Sequence, residues 1–559
     1  MHAPQTKTPI ITLALGAGVS VGCGAALAYA YRWYEGSLPV WFALAPVMLL
    51  VSMQRSTRLA LLYGSLFALT WTWLSFDFLW MQTHAGTIAI SIYTSLYYAF
   101  GLLIVRRLAR DGPVIAIVGT GCVWVLIEVL RSIVPILGFP WLLLGHTLLY
   151  NPYLRQGADI FGVYGLSFCI AVVNASLAFA LPVLLPSNVR NRLHPTRELS
   201  VALVPQAGTP GHAQRLSAWR ALSFAGALVL GMWSYGVLRT ERIEPLLVPG
   251  QPIGVIQGNI VEKLGRSEED LWAQLNGHIA LHKQLLAEAA RSGEGMPVLV
   301  CWAETMVPGA YNYSGYGKVF REYVASTGIP VLFGSNYVPV EDSEKTPLDQ
   351  RCFNTAYVVD GHGEELFHVY KQKLVAFGEY VPFAHTFPPL RYLRSVTQDQ
   401  YEPGTEPSPV REIGGYNIAL NVCVEDIHPD LARASSWAGA DTLINITNDG
   451  WFYQTYGPRA HLRAAAWRAI EVRRPLLRVT NTGITAAVDP LGRITKLVPE
   501  ETVGVATFRL LRIESEKSAP FSKPRTIYMQ MGEVGVGLIF LSLLFGTFWL
   551  GSQKGAETF

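Results

Sequence analysis

Long apolar segments fill most of the first 240 residues and restrict how this part of the chain can fold. A helix needs about 20 apolar residues to cross the hydrocarbon core of a bilayer, and it must satisfy its own backbone hydrogen bonds there. Segment 38–53 is the shortest, and an eighth segment, 534–550, follows the more polar middle of the chain. The sequence therefore predicts about eight transmembrane helices, the first seven at 10–31, 38–53, 59–80, 87–105, 113–134, 160–185 and 221–238.

The charged residues lie mostly outside these segments. They make up 15% of the chain, whereas soluble proteins carry about 25%, and most acidic residues fall between Glu241 and Glu516. We predict a transmembrane domain of about seven helices at 1–240, a soluble domain at 250–512 and a final transmembrane helix at 530–552. The net charge is only +3 and no basic stripe is present, so we predict no nucleic-acid partner.

The six cysteines give no sign of a metal or redox site. No two of them form a CxxC pair, which argues against zinc and against a thioredoxin-like motif. Cys23, Cys122 and Cys169 lie in apolar stretches, where cysteine is usually a small buried hydrophobe. We predict no metal and no cofactor.

The arginines of the apolar region indicate its orientation. They gather in the loops after the second, fourth and sixth segments, and loops rich in Lys and Arg are cytoplasmic. We therefore expect both termini in the cytoplasm and the large polar region outside, which in a bacterium is the periplasm. The arginines concerned are Arg55, Arg58, Arg106, Arg107, Arg110, Arg190, Arg192, Arg197 and Arg215.

The polar region alternates between strand-like and helix-like stretches. Asp360-Gly361 lies between two strand-like runs and is a hairpin signal. This alternation predicts a layered α/β sandwich rather than a barrel or an all-β fold. The strand-like runs are 253–257, 298–302, 330–333, 355–359, 418–422, 442–446, 476–480 and 485–488.

Three polar residues, Glu304, Lys371 and Cys423, each follow the end of a strand-like run. A thiol near pH 7 is only slightly ionised, so a nucleophilic cysteine needs a base or a cationic neighbour. A lone cysteine at a strand end is usually a core residue. The carboxylate and the lysine in the same ordered pattern favour catalysis instead, with Cys423 as nucleophile.

Several short motifs occur in an order that is typical of one family. The chain resembles the apolipoprotein N-acyltransferases of bacterial inner membranes over nearly its full length. In that family a nitrilase-like αββα sandwich is attached to transmembrane helices. The motifs are Trp124-x-x-x-Glu128-x-x-Arg131, Gly138-Phe139-Pro140-Trp141, Gly162-Val163-Tyr164-Gly165, Gln257-Gly258-Asn259-Ile260, Trp302-Ala303-Glu304-Thr305, Lys371-x-x-Leu374 to Pro382, Cys423-Val424-Glu425, Asn448-Asp449-Gly450-Trp451-Phe452 and Arg478 to Gly483.

The resemblance implies a Glu304–Lys371–Cys423 triad. Glu304 takes the thiol proton, and Lys371 stabilises first the thiolate and then the oxyanion. The backbone N–H of Val424 is expected as a second oxyanion donor. Glu379 is expected to orient Lys371 or the incoming amine, and Glu425 to fix the nucleophile turn.

Four aromatic residues near these motifs have two possible roles. They could line an acyl-chain pocket or belong to the core; they are Trp302, Phe377, Tyr380 and Trp451. The chain departs from the family pattern at three positions: Ala303 and Ala376 stand where proline is usual, and Val424 where tyrosine is usual. These departures concern the lipid pocket more than the chemistry.

The resemblance also implies the substrates. A phospholipid would donate an acyl chain to Cys423 as a thioester, and the diacylglyceryl-modified N-terminal cysteine of an apolipoprotein would accept it. Both substrates lie in membrane lipid, so the site is expected near the outer leaflet of the inner membrane. The alternative is a membrane-tethered nitrilase-type amidase that hydrolyses small amides with water as the acceptor.

Overall fold

The computed structural model describes residues 10–32, 38–81, 83–134, 138–185, 211–261, 265–293, 295–342, 350–383, 386–387, 389, 401–514 and 525–556. Arg190, Arg192 and Arg197 of the orientation argument lie outside these ranges. The α-helices are α1 (Ile10–Arg32), α2 (Ala45–Met53), α3 (Thr57–Phe76), α4 (His84–Leu108), α5 (Pro113–Ile133), α6 (Ala158–Leu184), α7 (His212–Ile243), α8 (Glu268–Ser292), α9 (Gly315–Thr327), α10 (Pro429–Trp437), α11 (Gly457–Val472) and α12 (Ile527–Ala556).

Seven of the described helices are long and apolar enough to cross a membrane, and the predicted segment Leu38–Met53 is shorter. It consists of a 3-10 turn and the nine-residue helix α2. Its direction follows from its neighbours, because α1 and α3 run parallel. Gly16 lies beside Tyr63 at one end of this pair, and Arg32 donates to the Leu74 carbonyl at the other, 3.1 Å away. Leu38–Met53 therefore carries the chain back through the bundle.

The start of α1 and the end of α12 lie on the same side of the helix bundle. Arg106 at the end of α4 donates to the Gln54 carbonyl just before α3, 2.9 Å away. At the opposite end, Asp159 at the start of α6 accepts from Arg239 near the end of α7, 2.7 Å away. Gly537 of α12 lies against Val129 of α5, so α12 starts beside the end of α5. The soluble domain joins the bundle on the side marked by Asp159 and Arg239. The first residue of α1 and the last residue of α12 lie on the opposite side, which is marked by Arg106.

A short segment after α5 turns back into the bundle. Trp141 to Leu149 are buried, and two of their backbone groups are satisfied by charged side chains of α5. Glu128 accepts from the Leu144 N–H at 2.6 Å, and Arg131 donates to the Trp141 carbonyl at 2.5 Å. Irregular backbone is tolerated at membrane depth only when it is buried in protein in this way.

The soluble domain contains two six-stranded sheets. Their orders are β12-β1-β2-β3-β4-β5 and β11-β10-β9-β8-β7-β6. Within them β1, β2 and β3 are parallel, as are β7, β8 and β9. The strands are β1 (Leu247–Gln257), β2 (Leu299–Cys301), β3 (Val331–Tyr337), β4 (Phe353–Val359), β5 (Glu365–Tyr370), β6 (Arg411–Ile413), β7 (Tyr416–Val422), β8 (Thr442–Thr447), β9 (Leu476–Thr480), β10 (Thr485–Val488), β11 (Ile494–Val498) and β12 (Gly504–Ile513).

The two sheets pack face to face between two helix layers. Strand residues alternate between faces, so Leu299 and Cys301 of β2 join the core between the sheets, whereas Val300 packs against α8 and α9. On the second sheet, Ala419 and Leu443 face α10 and α11. The predicted αββα sandwich is therefore confirmed.

One apolar cluster, which we call the membrane-side core, joins the two parts of the molecule. It contains residues of the bundle, such as Phe78 and Trp141, together with Trp467 of α11 and Val424 and Ile427 just after β7. The second sheet and its helices therefore lie against the membrane part.

Candidate active site

Glu304 lies just beyond the carboxyl end of β2 and is buried, with 4% of its surface exposed. Its Oε1 accepts from Asn354 Nδ2 at 2.7 Å, and its Oε2 accepts from the backbone N–H of Asn448 at 2.7 Å. The neighbouring strand comes very close, because a Cβ at Gly334 would lie 2.3 Å from the Thr305 nitrogen. The carboxylate is therefore held in one orientation from both sheets.

Lys371 directly follows β5 and is completely buried. Its Nζ lies 2.7 Å from Glu379 Oε1 and 3.6 Å from Glu304 Oε1. Glu379 is itself fixed, since its Oε2 accepts from the Val375 N–H at 2.8 Å. Glu379 thus makes the closer ion pair, and the ammonium group lies between two carboxylates.

Cys423 follows β7 and begins a 3-10 turn that ends at Ile427. Its φ of 56° is in the left-handed region, which a non-glycine residue rarely adopts outside tight turns and functional sites. Asn445 Nδ2 donates to its carbonyl at 2.9 Å. The residue is partly exposed and packs against both the membrane-side core and the core between the sheets.

Glu425 ties this turn to the segment that carries Lys371. Its Oε1 accepts from the N–H groups of Gln372 and Lys373 at 2.5 and 3.0 Å, and its Oε2 accepts from the Val422 N–H at 2.8 Å. Burial raises the pKa of Glu425 to about 7, against these hydrogen bonds. The nucleophile turn and the lysine loop therefore keep a fixed separation.

The charges around the thiol decide its protonation state. Loss of hydration raises the pKa of Cys423, Glu304 and Glu379 add to this shift, and Lys371 opposes it. The pKa of Glu304 is also raised, by burial first, with Lys371 acting in the other direction. Burial alone would lower the pKa of Lys371, but Cys423, Glu379 and Glu304 together raise it. The arrangement therefore favours a protonated thiol and a protonated lysine beside the carboxyl group of Glu304.

Two asparagines complete the cluster, and the sequence analysis assigns neither of them a role at the site. Asn354 donates to both Glu304 Oε1 and Glu379 Oε1, the latter at 3.3 Å. Asn448 supplies the backbone N–H on the other oxygen of Glu304. Asn448 was visible only as part of a family motif. Asn354 is the second residue of the apolar strand β4, and no local pattern marks it.

The four aromatic residues are in different environments. Trp302 is completely buried, with its ring 5.0 Å from that of Phe320 on α9, so it packs in the core between the first sheet and its helices. Trp451 packs against the membrane-side core. Phe377 is 45% exposed and donates its N–H to the Tyr380 carbonyl at 2.8 Å. These last two residues lie in the loop that contains Lys371 and Glu379.

The structure therefore brings Glu304, Lys371, Cys423, Glu379 and Glu425 together. Val424 lies in the nucleophile turn and is nearly buried. Within the described ranges, no group of three or more His, Cys, Asp or Glu side chains could hold a metal ion. The site suits an attack by sulfur on an acyl carbon, with one carboxylate as base and one cation beside the developing negative charge.

This αββα sandwich, with a cysteine, a glutamate and a lysine at strand ends, defines a carbon–nitrogen hydrolase domain, here attached to a membrane bundle. Comparisons with known proteins agree. Residues 253–515 match the family model described as carbon-nitrogen hydrolase, and residues 23–176 match the apolipoprotein N-acyltransferase N-terminal domain.

Individual relatives give the more specific assignment. The apolipoprotein N-acyltransferase of Azotobacter vinelandii is 33% identical over 421 residues, covering 74% of this chain and 72% of the relative. That of Pseudomonas putida is 30% identical over 438 residues and 75% of each chain. An amidase structure from Nesterenkonia sp. is 20% identical, with a TM-score of 0.35, and covers 48% of this chain and 93% of its own. The chain belongs to the apolipoprotein N-acyltransferase family.

Proposed function

We propose that this protein N-acylates the N-terminal diacylglyceryl-cysteine of apolipoproteins, using a phospholipid as acyl donor and a thioester on Cys423 as intermediate. Acylation of lipoproteins is the activity named for its relatives. The observation that carries the donor proposal is the position of the nucleophile turn. Val424 and Ile427 belong to the same apolar cluster as Phe78 and Trp141 of the bundle. A thiol in that position is within reach of a substrate anchored in lipid.

The first half-reaction acylates the cysteine. Glu304 takes the proton from Cys423 as the sulfur attacks the ester carbonyl carbon of the phospholipid. The negative oxygen of the tetrahedral intermediate is stabilised by Lys371 and by the backbone N–H of Val424. When the intermediate collapses, the carbon–oxygen ester bond breaks, the lysophospholipid alkoxide takes the proton from Glu304, and the thioester remains.

The second half-reaction transfers the chain to the apolipoprotein. The α-amine attacks the thioester carbon, and Glu304 takes a proton from the attacking nitrogen. Collapse breaks the carbon–sulfur bond and forms the amide, and the thiolate recovers its proton from Glu304. Glu379 holds Lys371 in place throughout, because their 2.7 Å ion pair does not involve the reacting atoms.

The product test uses purified protein, phospholipid and a diacylated lipoprotein. Mass spectrometry of the lipoprotein N-terminus should show the mass of one added acyl chain in an amide that resists hydroxylamine. Release of free fatty acid with no modified lipoprotein would identify water as the acceptor and favour the amidase alternative. Omission of phospholipid is the control, and it should leave the lipoprotein unchanged.

We also propose an orientation, with the catalytic domain on the periplasmic side of the inner membrane and both termini in the cytoplasm. It is supported by Arg55, Arg58 and Arg106, which lie at the end of the bundle away from the soluble domain. In a Cys423→Ala background, a membrane-impermeant maleimide should label Glu364→Cys, in an exposed hairpin, in intact spheroplasts. It should label Ser56→Cys only after permeabilisation. The reverse pattern would mean an inverted protein, and labelling of both in intact spheroplasts would mean that one of the five helices between the two positions, α3 to α7, does not cross.

A further inference from the structure

His461 connects the turn that carries the nucleophile with the loop that holds the base. It lies on α11 and is completely buried. Its Nε2 is 2.9 Å from Asp426 Oδ1, three residues after Cys423 in the nucleophile turn. Its Nδ1 is 2.9 Å from Asp449 Oδ1, next to Asn448, whose N–H donates to Glu304. The His461 ring therefore contacts the nucleophile turn through Asp426 and the segment that binds Glu304 through Asp449.

The connection is present in either protonation state of the ring. Asp426 can only accept while it is ionised, so Nε2 carries a hydrogen and donates to it. If Nδ1 is also protonated, it donates to Asp449. If it is not, it accepts from Arg478 Nη2, which lies 2.7 Å away and itself donates to Asp449 at 3.0 Å.

The charges of this buried group balance when the ring is protonated. Arg478 Nε lies 3.4 Å from Asp426 Oδ2, so two cations face two carboxylates. Burial and Arg478 lower the pKa of His461, but Asp426 and Asp449 outweigh them and raise it. Burial raises the pKa of Asp449, yet Arg478 and His461 lower it overall. An apolar residue at 461 would leave a net negative charge in a buried place.

The ring also has little room to turn away. Trp141 of the membrane part covers one face, with the two ring centroids 5.3 Å apart, and Phe452 meets it edge-on at 6.5 Å. Asp449 is packed against Gly483, where a Cβ would lie 2.1 Å from its Oδ2. The bridge from Asp426 through His461 to Asp449 therefore has one geometry.

We propose that His461 is a positioning residue for the acyl transfer, because it fixes the separation between the Cys423 sulfur and the Glu304 carboxylate. The proposal rests on the proposed function only in naming the reaction. The separation itself governs how readily Glu304 can take the thiol proton with any electrophile. The effect of His461 on this proton transfer can therefore be measured through the reactivity of Cys423, without a lipid substrate.

The experiment measures alkylation of Cys423 by iodoacetamide in the full-length protein, quantified on the peptide that contains Cys423. His461→Phe keeps the ring packing and removes both hydrogen bonds, and it should slow alkylation about 10- to 100-fold, as misplacement by about 1 Å can do. His461→Gln keeps a donor for Asp426 and should slow it less. His282→Phe is the matched control: His282 is completely buried in the same domain, its ring nitrogens have no hydrogen-bond partner among the described residues, and its loss should leave the rate unchanged.

A double-mutant comparison separates positioning from a general loss of structure. The separation of base and nucleophile matters only while the base is present, so His461→Phe should have almost no further effect in a Glu304→Gln background. His461→Gln should behave in the same way, and it carries the comparison if His461→Phe does not fold. Two results would overturn the proposal. One is a folded His461 variant that is alkylated as fast as the wild type. The other is a double variant whose rate is reduced by the product of the two single-variant reductions. A wild-type protein that alkylates normally but takes no acyl chain from phospholipid would contradict the proposed function instead.

Discussion

Incubation of the purified protein with phospholipid alone should add the mass of one acyl chain to Cys423, and hydroxylamine should remove it. Replacement of Cys423 with serine should abolish this adduct and all turnover, at least about 10³-fold below wild type, because the alkoxide is far harder to generate than the thiolate. The loss should lie in the chemical step, since the serine hydroxyl occupies nearly the same space. Intact-mass spectrometry before and after addition of the acceptor measures both.

The control for this experiment is Cys352→Ser. Cys352 is a buried thiol of the same domain, directly before β4, and its replacement should leave the adduct in place. If the wild type is active on lipoprotein but carries no acyl mass at any time point, transfer is direct and the thioester is wrong. If the adduct appears on another cysteine, the nucleophile has been misassigned.

The interior strands of the sandwich could be given bounds from the sequence, and the edge strands could not. The eight bounded runs correspond to β1, β2, β3, β4, β7, β8, β9 and β10. The other four strands, β5, β6, β11 and β12, are the four edges of the two sheets. Edge strands are partly solvated and carry polar residues on both faces, as in Ile494–Val498, of which only one residue is buried. Without a continuous apolar run, periodicity gives little signal.

The reacting groups of the site could be predicted because each follows a strand. Strands β2, β5 and β7 present their carboxyl ends to the same region, so Glu304, Lys371 and Cys423 meet there. Asn354 and His461 could not be predicted, because their partners are 50 and 35 residues away in sequence. A polar residue inside an apolar element gives no sign of which distant carboxylate it will contact.

Trp302 shows how a neighbour in sequence can be far from the chemistry. It precedes Glu304 by two residues, and the sequence left open whether it lines a pocket or belongs to the core. Directly after β2, it lies on the same face as Val300, toward α8 and α9, and opposite to Cys301. Alternation along the chain therefore turns it away from the space between the sheets, into the layer between the first sheet and helices α8 and α9.

Glu128 and Arg131 lie three residues apart on α5. Each satisfies a backbone group of the segment that turns back into the bundle, through Leu144 and Trp141 respectively. That segment also brings Trp141 against His461. The buried charges of α5 therefore support the surface on which the catalytic domain sits.

Replacement of Lys371 with methionine should lower acylation of Cys423 at least about 10³-fold, somewhat more than the loss of a single oxyanion donor. Two effects combine here. The oxyanion loses its cation, and Glu304 loses the charge that lowers its pKa. Because the ionised form of Glu304 is the base, the acid limb of the pH–rate profile should move to higher pH. The residual rate should therefore recover partly as pH rises.

Lys373→Met is the matched control, because the two lysines are separated by one residue. The Lys373 side chain is 39% exposed and forms a surface ion pair with Asp430 at 3.0 Å; such pairs contribute about 0–1 kcal/mol. Its replacement should leave the rate and the pH–rate profile unchanged, since only its backbone N–H contacts Glu425. A dead Lys373→Met beside an active Lys371→Met would show that the wrong lysine has been assigned. If Lys371→Met is slow but the acid limb of its pH–rate profile does not move, Lys371 stabilises the oxyanion and does not control the ionisation of Glu304.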